Sequence, residues 1–220
     1  MKLSRETLSI LKNFATINDN LTIKPGNKLV TISAGKNIVA DISVTETFET
    51  EFGIYDLSEF LGVLSLFENP ELVFSPKFVT IKEGKNAIKY FAADTSILTI
   101  VPNIKPFPTP DIEFELSNQI IAQVQKVASV LKVPDFSIAG DGTNISIMVG
   151  DKSNPTGNTF NAEVGTTDKN FKLDFKVENL KFIPGDYKIA IGNKKIARFQ
   201  ATSGDLFYLV ALELTSTFED

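Results

Sequence analysis

Residues 98–112 read LTIVPNIKPFPTPDI, with prolines at 102, 106, 108 and 110. Proline removes a backbone donor and forces the residue before it into extended backbone, so this stretch is neither a helix nor a central strand. It keeps Val101, Ile104 and Phe107, which a fully solvated linker would not need. The segment predicts an extended surface connector over residues 99–112. It divides the chain into two parts, 1–98 and 113–220, each of ordinary domain size.

The two parts have the same order of elements. Leu3-Ser4 and Leu116-Ser117 each open an amphipathic helix, running to Ile17 and Leu131, with Ser4 and Ser117 in N-cap positions. Short alternating segments follow, punctuated by KPGN in the first part and by GDGTN and NPTGN in the second. A second helical run comes next: DLSEFLGVLSLF from Asp56, and a shorter one over about Val177 to Ile183, stopped by Pro184-Gly185. Three more strands close each part, the last of them over Leu209 to Leu214. A repeat of this length predicts two similar α+β domains.

Helical projection separates the faces of the two long helices. The first buries Leu3, Thr7, Leu8, Ile10, Leu11, Phe14, Ala15 and Ile17 and presents Lys2, Arg5, Ser9, Lys12, Asn13 and Thr16. Its one acid, Glu6, falls at the edge of that face. The second presents Asn118, Gln119, Gln123, Gln125, Lys126, Ser129 and Lys132, and no acid occurs from Leu116 through Pro134. A chain of net charge −5 thus keeps acids off two equivalent surfaces. A solvated face of chance composition reads the same way. The repeat favours contact with a polyanion through Lys, Arg, Gln, Asn and Ser, which touch phosphates without reading sequence.

Composition limits the chemistry. The 220 residues include 18 Phe but no Trp, Cys or His. Disulfides, thiolate metal sites and triads built on His are excluded, and an intracellular protein is the expectation. No apolar run is long enough for a membrane span, and the N-terminus lacks the h-region of a signal peptide. Asp141 and Asp151 follow glycines in loops and read as turn residues, since calcium-loop spacing is missing. Asp56 and Glu59 read as acids favouring a helix N-terminus. No cofactor is expected.

At specific positions the sequence resembles the sliding clamps, or DNA polymerase processivity factors, of T-even-type bacteriophages. The resemblance is carried by MKLS at 1–4, LKNFATIN at 11–18, YDL at 55–57, FLGVLSL at 60–66, AAD at 92–94 and PN at 102–103. It continues through PFP at 106–108, PG at 184–185, YK at 187–188 and LVALE at 209–213. It implies a non-catalytic homotrimer of two-domain subunits, with helices lining a ring and sheets forming its outer shell. Lys2, Arg5, Lys12, Lys126 and Lys132 would face encircled double-stranded DNA. Val101, Ile104, Phe107, Leu209 and Leu212 would border a partner-peptide pocket. Edge strands carrying Ile88, Tyr90 and Phe91 on one side, and Phe160 and Val164 on the other, would join subunits. The implied partners are the replicative polymerase, an ATP-driven clamp loader, and a coactivator and sigma-like factor of late transcription, in the cytoplasm of an infected bacterium.

Two other readings compete. One is a virion or scaffold assembly protein, which would not require acid-free helix faces. The other is a glycosidase, which would require a placed pair of carboxylates. The terminal residues 217–220 read as a flexible tail, with Phe218 a candidate partner contact.

Overall fold

The computed structural model describes residues 1–192 and 195–218. The chain forms two compact units, Met1–Ile104 and Lys105–Asp220, so the break falls within the proline-rich segment.

The first unit begins with helix α1 (Arg5–Ile17), followed by strands β1 (Leu21–Ile23), β2 (Gly26–Ile32), β3 (Ile38–Phe48) and β4 (Phe52–Ile54). Helix α2 (Leu57–Leu64) leads to β5 (Glu71–Phe74), β6 (Phe78–Glu83) and β7 (Asn86–Phe91). Strand β1 pairs with β4, β2 with β3, and β5, β6 and β7 form an antiparallel sheet in that order. Ser4 caps α1, its side chain accepting from the Thr7 N–H at 3.1 Å. Asp56 caps α2, accepting from the Glu59 N–H at 2.8 Å. Ile10, Leu11, Phe14 and Ile17 of α1 and Leu57, Phe60 and Leu64 of α2 are buried, as helical spacing requires of faces turned to a core.

The second unit runs β8 (Ile112–Leu116), α3 (Asn118–Leu131), β9 (Asp135–Asp141), β10 (Asn144–Gly150), β11 (Phe160–Thr166) and β12 (Asn170–Lys176). It ends with β13 (Tyr187–Gly192), β14 (Ile196–Ala201), β15 (Phe207–Ala211) and the two-residue β16 (Thr217–Phe218). One sheet has the order β11-β10-β9-β12-β16, and β15, β14, β13 and β8 pair in that order in another. Ser117 caps α3. The helix stops at Lys132, whose φ of 55° is left-handed.

Three expectations for this unit change. The run at 177–183 is a single 3₁₀ turn, Val177–Asn179, and not a helix. Phe182 is drawn into an aromatic cluster with Phe199, Tyr208 and Tyr187. The Ile183 N–H donates to the Tyr208 hydroxyl at 3.1 Å, and the Ile183 carbonyl accepts from Tyr187 at 2.6 Å. Tyr208, 25 positions away, and Tyr187, four positions away, thus satisfy backbone groups that a helix would have used. Burial pushes the Tyr208 hydroxyl up to about 12 and raises Tyr187 further. Tyr208→Phe is therefore expected to cost about 1–2 kcal/mol in urea unfolding, since it strands the Ile183 N–H.

Second, the last long strand ends at Ala211 and not at Leu214, which is fully exposed. Third, residues 217 and 218 are not a free tail. Phe218 pairs with Phe171 and Thr217 with Lys172, while Glu219 and Asp220 lie outside the described residues. The segment is fastened by buried Asp174, which accepts from Thr215 Oγ1 at 2.6 Å and Ser137 Oγ at 2.7 Å and pairs with Lys152 at 2.8 Å. Burial alone would raise this carboxyl, but these donors hold it below its ordinary range.

Candidate functional site

Helices α1 and α3 carry the candidate charged faces. Lys2, Arg5, Lys12, Lys126 and Lys132 are all exposed, as are Ser9, Gln123 and Ser129. Gln125 departs from the sequence reading. It is half-buried and donates to the Leu180 carbonyl at 2.7 Å, so it braces α3 within its own unit.

Each of these helices also receives a carboxylate at its N-terminus, a feature that the sequence reading missed. The Ser4 N–H donates to Glu46 of β3, which also accepts from Thr7 Oγ1 at 2.6 Å. Partial burial would raise the Glu46 carboxyl, but donation from Thr7 and Ser4 outweighs it and holds the group below its ordinary range. The Asn118 N–H donates to Asp186 at 2.7 Å. A helix N-terminus attracts anions. In both units the chain's own carboxylate occupies one of those backbone donors, so the charge offered outward is that of the side chains.

The candidate peptide-pocket residues fall into two groups. Val101 and Ile104 belong to the first unit, where they line a groove of about 730 Å³ with Lys24, Pro25, Val30 and Glu51. Phe107, Leu209 and Leu212 belong to the second unit. Side chains alternate along a strand. Ile189 and Ile191 of β13 are buried inward, so Lys188, Ala190 and Gly192 point outward. A Cβ on Gly192 would stand 3.2 Å from Phe107 and 2.5 Å from Pro108. Glycine therefore lets Phe107 and Pro108 lie close against the outward face of the sheet. Leu209 is outward on the same sheet, in register with Arg198, and Leu212 is half-buried just past the end of β15. Phe107 and Leu209 thus share one sheet face, a relation hidden in the sequence by the hundred positions between them.

The candidate assembly residues lie on edge strands of their sheets. Strand β7 is an edge of the β5-β6-β7 sheet, and β11 is an edge of its five-stranded sheet. Ile88, Phe160 and Val164 are half-exposed, and Phe91 is 69% exposed. Tyr90 is committed within its own unit, donating to the Asp56 carbonyl at 3.2 Å and meeting Phe60 edge-on at 5.2 Å. The loop acids do turn work: Asp141 accepts from the N–H groups of Thr143 and Asn144 at 2.9 and 2.7 Å.

Comparison with known proteins places these features in a family. Residues 3–100 match the family described as DNA polymerase processivity factor, and residues 113–214 match the gp45 sliding clamp, C terminal. The chain is 33% identical over 221 residues to the sliding clamp of Vibrio phage KVP40, covering 97% of this chain and 99% of that one. It belongs to the sliding-clamp family. The clamp is also 28% identical to the sliding clamp of Enterobacteria phage T4, with both chains covered in full. Its fold matches an Archaeoglobus fulgidus (A. fulgidus) PCNA bound to the C-terminal region of FEN-1, with a TM-score of 0.67 and 13% identity. That match covers 97% of the clamp and 95% of the PCNA chain. The two-domain α+β clamp fold expected from sequence is therefore established. Membership of this family displaces the scaffold-protein and glycosidase readings.

Proposed function

We propose that three copies of this clamp close head to tail into a ring around duplex DNA and tether the replicative polymerase without catalysing a reaction. The repeated exposed faces of α1 and α3 carry this reading. Among the described residues, two helices in one acidic chain present Arg5, Lys12 and Lys126 without an ion-pairing acid, and one N-terminal backbone donor of each helix is already held, by Glu46 and by Asp186. A duplex meeting these faces is held by mobile, salt-screened cations and not by fixed backbone sites, which suits a sleeve that slides.

Strands β7 and β11 are the proposed subunit edges. The face holding Phe107 and Leu209 is the proposed partner surface of the second unit, with Leu212 just past the end of β15, and Val101 and Ile104 form a separate candidate on the first unit. The A. fulgidus PCNA is bound by the C-terminal region of FEN-1, which supports docking of partner segments on a clamp of this fold. An ATP-driven loader that opens the ring, a coactivator and sigma-like factor of late transcription, and residence in the host cytoplasm complete the proposal.

The DNA role has a direct test. Arg5→Glu with Lys126→Glu is expected to lower processive synthesis at least tenfold at low salt, with unchanged unfolding temperature and a difference from the native chain that shrinks as salt rises. Unchanged processivity would remove these residues from the DNA role.

A further inference from the structure

The outward face of the β13–β15 sheet carries one more charged group. Of the chain's 22 Lys and Arg residues only two are Arg: Arg5 on α1 and Arg198 on β14. Arg198 is half-buried and opposite Leu209 in register. Its guanidinium lies over Phe207, 4.6 Å from the ring centroid. One terminal nitrogen donates to Gln200 Oε1. Its Nε is buried without a hydrogen-bond partner. Among the described residues no carboxylate pairs with it. Glu113 of β8, two strands from β14, is already held by Lys188 at 3.0 Å.

A guanidinium presents five donors in a rigid fork that matches a carboxylate, and stacking on an aromatic ring fixes its plane. A buried donor without an acceptor is unfavourable until a ligand supplies one. Here that donor sits beside Phe207 and Leu209, on the face that also receives Phe107. A small rotation of the side chain would present Nε and a terminal nitrogen together to one carboxylate.

We propose that Arg198 is the specificity determinant of the partner surface, and that a peptide seated over Phe107 and Leu209 carries a carboxylate beside its apolar anchors. The inference rests on the reading of this face as the partner surface. Apolar anchors alone would suit any greasy segment. A charge-assisted fork selects acidic peptides among them and fixes the direction in which they lie.

The test uses the full chain and synthetic peptides sharing Leu and Phe anchors. One set carries Glu beside the anchors and the other Gln, each made with a free and an amidated C-terminus. The native chain is expected to bind the best carboxylate form about tenfold more tightly than the neutral amidated form. The arm that carries this difference identifies a side-chain or a terminal carboxylate as the source. Arg198→Gln is expected to erase the difference and leave the neutral peptide's affinity unchanged, while Arg198→Lys restores part of it. Persistence of the difference in Arg198→Gln, or a uniform loss for every peptide, would overturn the proposal. Leu209→Ser separates the underlying reading: it is expected to weaken all peptides equally. If it weakens none, the face is not the partner surface and the proposal falls with it.

Discussion

Phe91→Asp is expected to convert a trimer of about 73 kDa into single 24.2 kDa chains at micromolar concentration. Phe91 ends β7 on the edge of its sheet and is 69% exposed, with its ring meeting Phe78 edge-on at 5.9 Å. A large apolar side chain on an open strand edge invites pairing with another chain, and proteins that remain monomeric blunt such edges with charge. A carboxylate there should cost at least about 2 kcal/mol per junction, enough to raise a dissociation constant some thirtyfold. Val164→Asp on β11 is expected to act in the same way from the opposite edge. The head-to-tail arrangement gives a sharper outcome for the mixture. A Phe91→Asp chain keeps an intact β11, and a Val164→Asp chain keeps an intact β7, so the two can form one junction and no more. Mixed variants should therefore stop at a dimer of about 48 kDa. Light scattering checks all three masses. A mixture that stays monomeric, or single variants that stay trimeric, would place the junction elsewhere.

The second large effect concerns polymerase coupling. Phe107→Ser with Leu209→Ser is expected to reduce polymerase stimulation at least thirtyfold while the assembled mass stays unchanged. Two apolar anchors at the centre of a small interface each contribute about 2 kcal/mol when buried by a partner. Both residues are part-exposed on the outward face, so the fold should lose little. Val101→Ser with Ile104→Ser tests the other group, which lines a groove of the first unit. A larger loss from that pair than from Phe107 and Leu209 would move the docking site onto the first unit.

Features governed by local periodicity and capping were legible in the sequence. Ser4 and Ser117 cap the helices they were expected to cap, and the buried faces follow helical spacing. The two units divide between residues 104 and 105. Features set by distant partners were not legible. The 177–183 run has helical spacing, but the Ile183 N–H goes to Tyr208, 25 positions away. Glu46 reaches Ser4 across 42 positions, and Asp186 reaches Asn118 across 68. Residue 218 reads as tail until Asp174, Ser137 and Thr215 are seen to fasten the segment before it. For Arg198 one clue was available: arginine is rare in this lysine-rich chain. Sequence alone could not place it beside Phe207 and Leu209.

The central claim is topological enclosure of DNA, and retention on closed versus linear duplex tests it most directly. The clamp is loaded onto nicked circular DNA, the circle is cut once with a restriction enzyme, and bound protein is followed in salt high enough to screen exposed charge. A ring should stay on the uncut circle through the salt wash and run off the free ends of the cut molecule. Equal retention on both forms, or equal loss from both as salt rises, would mean that the chain binds DNA from one side and does not encircle it.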